Sequence, residues 1–191
     1  MGFYTGYIPP IYKTDNFIFK PLTPEYTQLD YDALMASKLS LRAWSGSSWP
    51  SDDFTLDDNR FDLQGHADEF ESGEGYAYTI LNADESRVEG CFYTNSFVET
   101  LERFGVDAIS QADVTQSDVI VRFWIREERL DEEADLLNMI IKWLKTDWEF
   151  PNIYFATNTK NQRQAKLFED ANMEKQFEWS FGEVTWVQYL L

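Results

Sequence analysis

The chain reads as a mixed α/β protein, one twisted mixed sheet flanked by helices, and three observations lead there. Short strand patterns alternate with helical ones along the whole sequence. Two of the connections are tight hairpins and two are strand–helix–strand crossovers, which requires antiparallel and parallel pairing in one sheet. The 191 residues are 43% hydrophobic and 17% aromatic, enough to fill one core without disulfides or metals.

The elements follow in order. Residues 1–16, with Pro9-Pro10, read as an irregular arm, and 17–191 as one domain. Phe17–Leu22 is a short strand stopped at Pro21. Leu29, Ala33, Leu34, Ser37 and Leu41 recur at helical spacing. Ser45–Pro50 is a loop. Thr55 and Asp58 form a capping-box pattern, opening a helix that carries Leu56, Phe61, Leu63, Ala67 and Phe70 and stops near Gly73. Tyr76–Leu81 and Arg87–Tyr93 are hairpin partners. Residues 97–117 lack periodicity and read as a long irregular connection. Asp118–Ile125 is a strong strand, and Asp131 is a suitable N-cap for a helix with Leu136, Leu137, Ile140, Ile141 and Leu144 on its apolar face. Asn152–Thr157 is a strand and Asn161–Ala171 a helix. Lys175–Phe181 and Val184–Leu191 form a last hairpin around Gly182, and Val184–Leu191 is either an edge for pairing with a second copy or a strand that closes the sheet within one chain.

Charge narrows the partners. With 16 Lys+Arg against 34 Asp+Glu the net charge is −18, which repels nucleic-acid phosphates and favours cationic ligands such as amines or basic peptides. No apolar run reaches the ~20 residues that span a bilayer. One cysteine, Cys91, and one histidine, His66, leave no disulfide and no usual His/Cys metal site. The opening residues lack a basic and apolar leader, so a cytoplasmic location is expected.

The element order resembles the GNAT superfamily of acyl-CoA-dependent N-acetyltransferases. The resemblance rests on Asn161, Leu167 and Phe168 after the strand at 152–157, and on Gly90 in the second hairpin strand. Phe123-Trp124-Ile125, Pro21-Leu22 and the Trp44–Pro50 loop resemble the branch that acetylates ribosomal-protein N-termini. Two features depart from the family. Asn172-Met173 stands where Gly-Phe is usual, and the stretch Arg126–Glu133, where a glycine-rich loop holds the CoA pyrophosphate, has no glycine and five carboxylates.

The resemblance implies acetyl-CoA as cosubstrate, with no metal. It would place the pantetheine along Phe123, Trp124 and Ile125, the phosphates near Arg126 and Arg129, and further cofactor contacts at Asn161, Arg163, Lys166 and Phe168. Phe168 stands where many members carry a tyrosine general acid. Glu89 and Asp118 are the candidate bases. Trp44, Trp49 and Tyr93, with Cys91 in the same strand, would face the amine, and Asp52 and Asp53 would add negative potential. Two readings follow. One is an N-acetyltransferase in which a primary amine attacks the thioester directly in a ternary complex. The other is a catalytically inactive module on the same fold that recognises a protein or basic peptide.

Overall fold

The computed structural model describes residues 2–107 and 114–191. Eight strands form one sheet: β1 (Tyr12–Lys13), β2 (Phe17–Pro21), β3 (Gly75–Asn82), β4 (Val88–Ser96), β5 (Val119–Ile125), β6 (Ile153–Asn158), β7 (Glu174–Phe181) and β8 (Val184–Leu190). Their order is β1-β2-β3-β4-β5-β6-β8-β7. All neighbours are antiparallel except β5 and β6. Among the described residues six α-helices accompany them: α1 (Thr27–Ala36), α2 (Lys38–Ser45), α3 (Leu56–Ser72), α4 (Phe97–Glu102), α5 (Glu133–Asp147) and α6 (Gln162–Asp170).

The crossover β5–α5–β6 lays α5 on one face of the sheet. Leu136, Leu137, Ile140, Trp143 and Leu144 meet Phe19, Tyr78, Phe92 and Phe123 there, all buried. Alternation along β5 sends Val121, Phe123 and Ile125 to this face. Trp124 goes to the other, where it joins Leu34, Leu41 and Leu63 under α1, α2 and α3. Leu137 is 1% exposed, so Leu137→Ala should cost about 2–5 kcal/mol in denaturant unfolding.

Local signals explain several boundaries. Thr55 and Asp58 close a reciprocal capping box at the start of α3, and Gly73 ends it at φ 79°. Gly90 is required by the approach of β5, since a Cβ there would lie 2.0 Å from the Trp124 carbonyl oxygen.

The structure corrects several expectations. The arm is not wholly irregular: Tyr12 pairs with Phe19 as strand β1, and the Tyr78 hydroxyl donates to the Pro9 carbonyl at 2.7 Å. The helical spacing from 29 to 41 covers two helices broken at Ser37. Phe61 is 79% exposed, and Asn59 takes its place on the buried side of α3. The connection at 97–117 begins with α4, capped by the Ser96 hydroxyl; residues 108–113 lie outside the described ones. Asp131 does not cap α5, because residues 127–132 form a 3-10 turn and Glu132 is the N-cap. The last strand is not the edge: β8 lies between β6 and β7, and β7, studded with Glu174, Lys175 and Glu178, is the outer strand. Among the described residues no helix is long and apolar enough to cross a membrane.

Candidate active site

The parallel pair β5 and β6 opens where chemistry would be needed. They pair at Val119↔Ile153, Ile120↔Tyr154 and Val121↔Phe155, and nowhere beyond. Arg122–Ile125 stay paired to β4 on one side, and Ala156–Asn158 to β8 on the other. Backbone groups alternate along a strand, so in this stretch those of every second residue, the Phe123 carbonyl among them, face a split instead of a strand.

Polar side chains bridge the split. The Gln164 amide, from α6, donates to the Phe123 carbonyl at 3.1 Å and to Glu133 at 3.4 Å. Asn161 donates to the Gln164 oxygen at 3.3 Å. At the mouth, the last carbonyls of α2 are met by three donors. Asn158 reaches Ala43 (3.0 Å) and Trp44 (2.9 Å), Arg122 reaches Trp44 (2.9 Å), and Lys160 reaches Gly46 (3.0 Å). A helix C-terminus favours such cationic and amide donors. Trp124 does not enter the split. Its indole N–H donates to the Tyr93 hydroxyl at 3.3 Å on the α1–α3 face. Beside it only a hollow of about 10 Å³ remains, lined by Leu41, Trp44, Leu130 and Glu133 among others.

The acidic stretch after β5 is internally matched. Glu127 accepts from the Ser40 amide in the first turn of α2 at 3.2 Å. Glu128 pairs with Arg87, Glu132 with Arg129, and Glu133 with Arg163. Glu133 is 3% exposed; burial pushes its carboxyl up and Arg163 opposes that shift. The arginines of this stretch are used elsewhere. Arg126 is buried and donates to the Val88 carbonyl at 2.6 Å. Arg129 lies 4.8 Å from the Phe17 ring centre and 3.2 Å from Glu89. Instead, Lys160 and Arg163, with Ser40, Asn161 and Gln162, line an open hollow of about 380 Å³ at the start of α6.

On the α1–α3 face lies a cavity of about 540 Å³, within the range of small-molecule sites. Trp44, Trp49 and Tyr93 form one wall, with the Trp44 ring 6.5 Å from Trp49 and 5.8 Å from Tyr93. The helices add Asp30, Asn59, Asp62, His66 and Glu69. Asp30 is 2% exposed and accepts from the Cys91 thiol at 3.4 Å. Burial pushes its carboxyl up to about 6, against hydrogen bonds from Asn59 and Cys91. Burial also raises Tyr93, which keeps its proton. His66 Nδ1 lies 3.5 Å from Glu69, and its ring 5.3 Å from Tyr93. Arg122 closes the sheet side, stacked between Trp44 (3.8 Å) and Trp186 (4.6 Å).

The residues expected from sequence divide accordingly. Trp44, Trp49 and Tyr93 come together in the cavity, with Cys91 behind its wall. Trp124, Ile125, Asn161 and Arg163 line the hollow of about 10 Å³ beside Trp124. Phe123 and Phe168 are packed in the core, only the Phe123 carbonyl facing Gln164. Lys166 pairs with Asp170 and does not line the hollow. Glu89 sits among Arg87, Arg126 and Arg129. Asp118 lies at the other end of β5, accepting from Thr115 (2.9 Å) and Asn152 (3.0 Å). Asp52 is held by Lys38 and Arg42, and Asp53 by Ser51, so neither faces the cavity. Asp30, Asn59, Arg122 and His66 also line the cavity, and no sequence motif marks them. Asp30 did carry a signal: it stands three and four residues before Ala33 and Leu34, on the buried side of α1.

No protein-family model matches the sequence, and no curated protein is significantly similar to it. Solved structures are similar along nearly the whole chain. A ribosomal-protein-S5-alanine acetyltransferase from Vibrio fischeri is 11% identical with a TM-score of 0.68, covering 95% of each chain. RimL, a ribosomal L7/L12 α-N-protein acetyltransferase solved with coenzyme A, is 11% identical with a TM-score of 0.69, covering 95% of this chain and 97% of its own. The microcin C7 self-immunity acetyltransferase MccE, solved with acetyl-CoA and AMP, is 9% identical with a TM-score of 0.68, covering 93% of each. Identity this low speaks to architecture, and on that footing the chain has the GNAT fold, on the plan of the ribosomal-protein acetyltransferases.

Proposed function

We propose that the chain is an acyl-CoA-dependent N-acetyltransferase acting on a primary amine by direct attack in a ternary complex. One observation carries this reading: the β5–β6 split and the acid- and aromatic-lined cavity meet at Arg122, which borders both. The Phe123 and Ile125 backbone groups that face away from β4 suit the amides of a pantetheine arm once Gln164 gives up the Phe123 carbonyl. Lys160 and Arg163 suit the phosphates, in place of Arg126 and Arg129.

Acetyl-CoA supplies the activated acyl group, and the chain's residues handle the proton. We assign the base role to Asp30 rather than to Glu89 or Asp118. A carboxyl near 6 is ionised at neutral pH yet basic enough to draw a proton from a bound ammonium. Tyr93, protonated in the cavity wall and hydrogen-bonded to Cys91, is the hydroxyl we assign to the leaving thiolate. Phe168 has no such proton.

The inactive module remains as a second reading because the stretch 126–133 offers no glycine and no free arginine. Thermal unfolding with acetyl-CoA separates the two. At a hundred times its dissociation constant acetyl-CoA should stabilise the chain by about 2.7 kcal/mol. No shift at millimolar acetyl-CoA, with a stoichiometric protein partner recovered on purification, would favour the module.

A further inference from the structure

We propose that the acceptor is a free amino acid, a small zwitterion whose carboxylate is held by Arg122 and whose ammonium is held by Asp30 and Asn59. This rests on the acetyltransferase reading and names its substrate class. Asp30 lines the cavity from the helix side and Arg122 from the sheet side, while the further cation Arg103 lies 3.8 Å from Glu69. The helix side carries Asp30 and Asn59, both at least 98% buried. The Asn59 amide donates to the Thr27 carbonyl at 3.0 Å, while its side-chain oxygen has no hydrogen-bond partner. A buried oxygen without a donor is costly, and an ammonium supplies three donors. Trp49 and Tyr93 line the same cavity, and aromatic rings there also favour a cation.

The sheet side carries the opposite charge. Arg122 uses one terminal nitrogen on the Trp44 carbonyl, and its Nε is buried with no partner. Among the described residues it makes no ion pair with a carboxylate, unlike Arg87, Arg126, Arg129 and Arg163. Its guanidinium is fixed between two indole rings, so its direction is set before a ligand arrives. A guanidinium held this way matches a carboxylate in shape and charge. An amine without a carboxylate would leave Arg122 unmatched. A protein N-terminus would do the same, since its first carboxyl is an amide.

Calorimetry without acetyl-CoA tests this directly. Each of the twenty standard L-amino acids is titrated, followed by the methyl ester and N-acetyl derivative of any that binds, and by a hexapeptide bearing the same first residue. At least one amino acid is expected to bind. Neutralising either end should weaken binding about tenfold or more, the size of a lost charge-assisted hydrogen bond. The hexapeptide should be weakened as the ester is, and Arg122→Met should lose the distinction between acid and ester. Ester or peptide binding as tight as the parent, or no amino acid binding at 10 millimolar, would overturn the proposal. A parallel acetyl-CoA titration keeps the two claims apart. Acetyl-CoA binding without amino-acid binding sinks the substrate class alone. Amino-acid binding without acetyl-CoA binding sinks the enzyme and leaves a zwitterion-binding module.

Discussion

Asp30→Asn should abolish most of the activity while making the fold more stable at neutral pH. Positioned general bases contribute on the order of 10²- to 10⁴-fold, and the variant keeps the shape of the site without its proton acceptor. In the unaltered chain, kcat/KM should rise with pH through about 6, the value burial gives this carboxyl; the variant should lose that limb. Asp62 and His66 of α3 and the Cys91 thiol of β4 bear on Asp30, and all are retained in the variant.

Stability should move the other way. The folded chain holds the Asp30 proton more tightly than the unfolded one, from 3.8 up to about 6. The contribution of Asp30 is therefore fully favourable below the unfolded value and is lost as pH rises through about 6. That change amounts to about 3 kcal/mol, so the advantage of Asp30→Asn should grow by this much between pH 3 and pH 7.5. Paired denaturant melts of the two chains across that range measure it, and a constant gap would remove the buried charge.

Arg163→Ala should have the second large effect, on two properties that a double variant separates. Arg163 forks onto Glu133, which among the described residues is otherwise met only by Gln164 at 3.4 Å. Its removal leaves a buried carboxylate without a counter-charge, costing about 3 kcal/mol, the low end for a broken buried pair because Arg163 itself is partly in solvent. For a chain of this length that lowers Tm by about 6–12 °C. Arg163→Ala with Glu133→Gln should recover most of the stability, since the carboxylate is gone. It should not recover acetyl-CoA affinity, which should stay about 10–100-fold weaker in both variants if Arg163 faces a phosphate. Recovery of affinity along with stability would confine Arg163 to a structural role.

Much of the architecture was legible in the residues because local rules and tertiary packing agree. Thr55 and Asp58 announce the start of α3, Gly73 its end, and the apolar stripe of α5 lies against the sheet as its spacing implies. The β5–α5–β6 crossover follows from two strand patterns around one helix. What stayed hidden was set by contacts distant in sequence. Asn158, Arg122 and Lys160 converge on the end of α2 from residues 78 to 115 positions away, which no local pattern reports. Glu127 and Glu133 look like ordinary first-turn acids but serve α2 and Arg163. Arg126 and Arg129 sit where phosphate-binding residues are expected, and their side chains turn to Val88, Glu89 and Phe17. Asp30 was readable from its stripe but was obscured by the general rule that aspartate faces solvent.

The pivotal feature is the split that begins after Val121 and Phe155. A crystal structure with acetyl-CoA tests it most directly. A pantetheine amide is expected on the Phe123–Ile125 backbone, with Gln164 displaced from the Phe123 carbonyl and phosphates beside Lys160 and Arg163. An unchanged Gln164–Phe123 hydrogen bond at saturating acetyl-CoA, with no cofactor in the split, would contradict it.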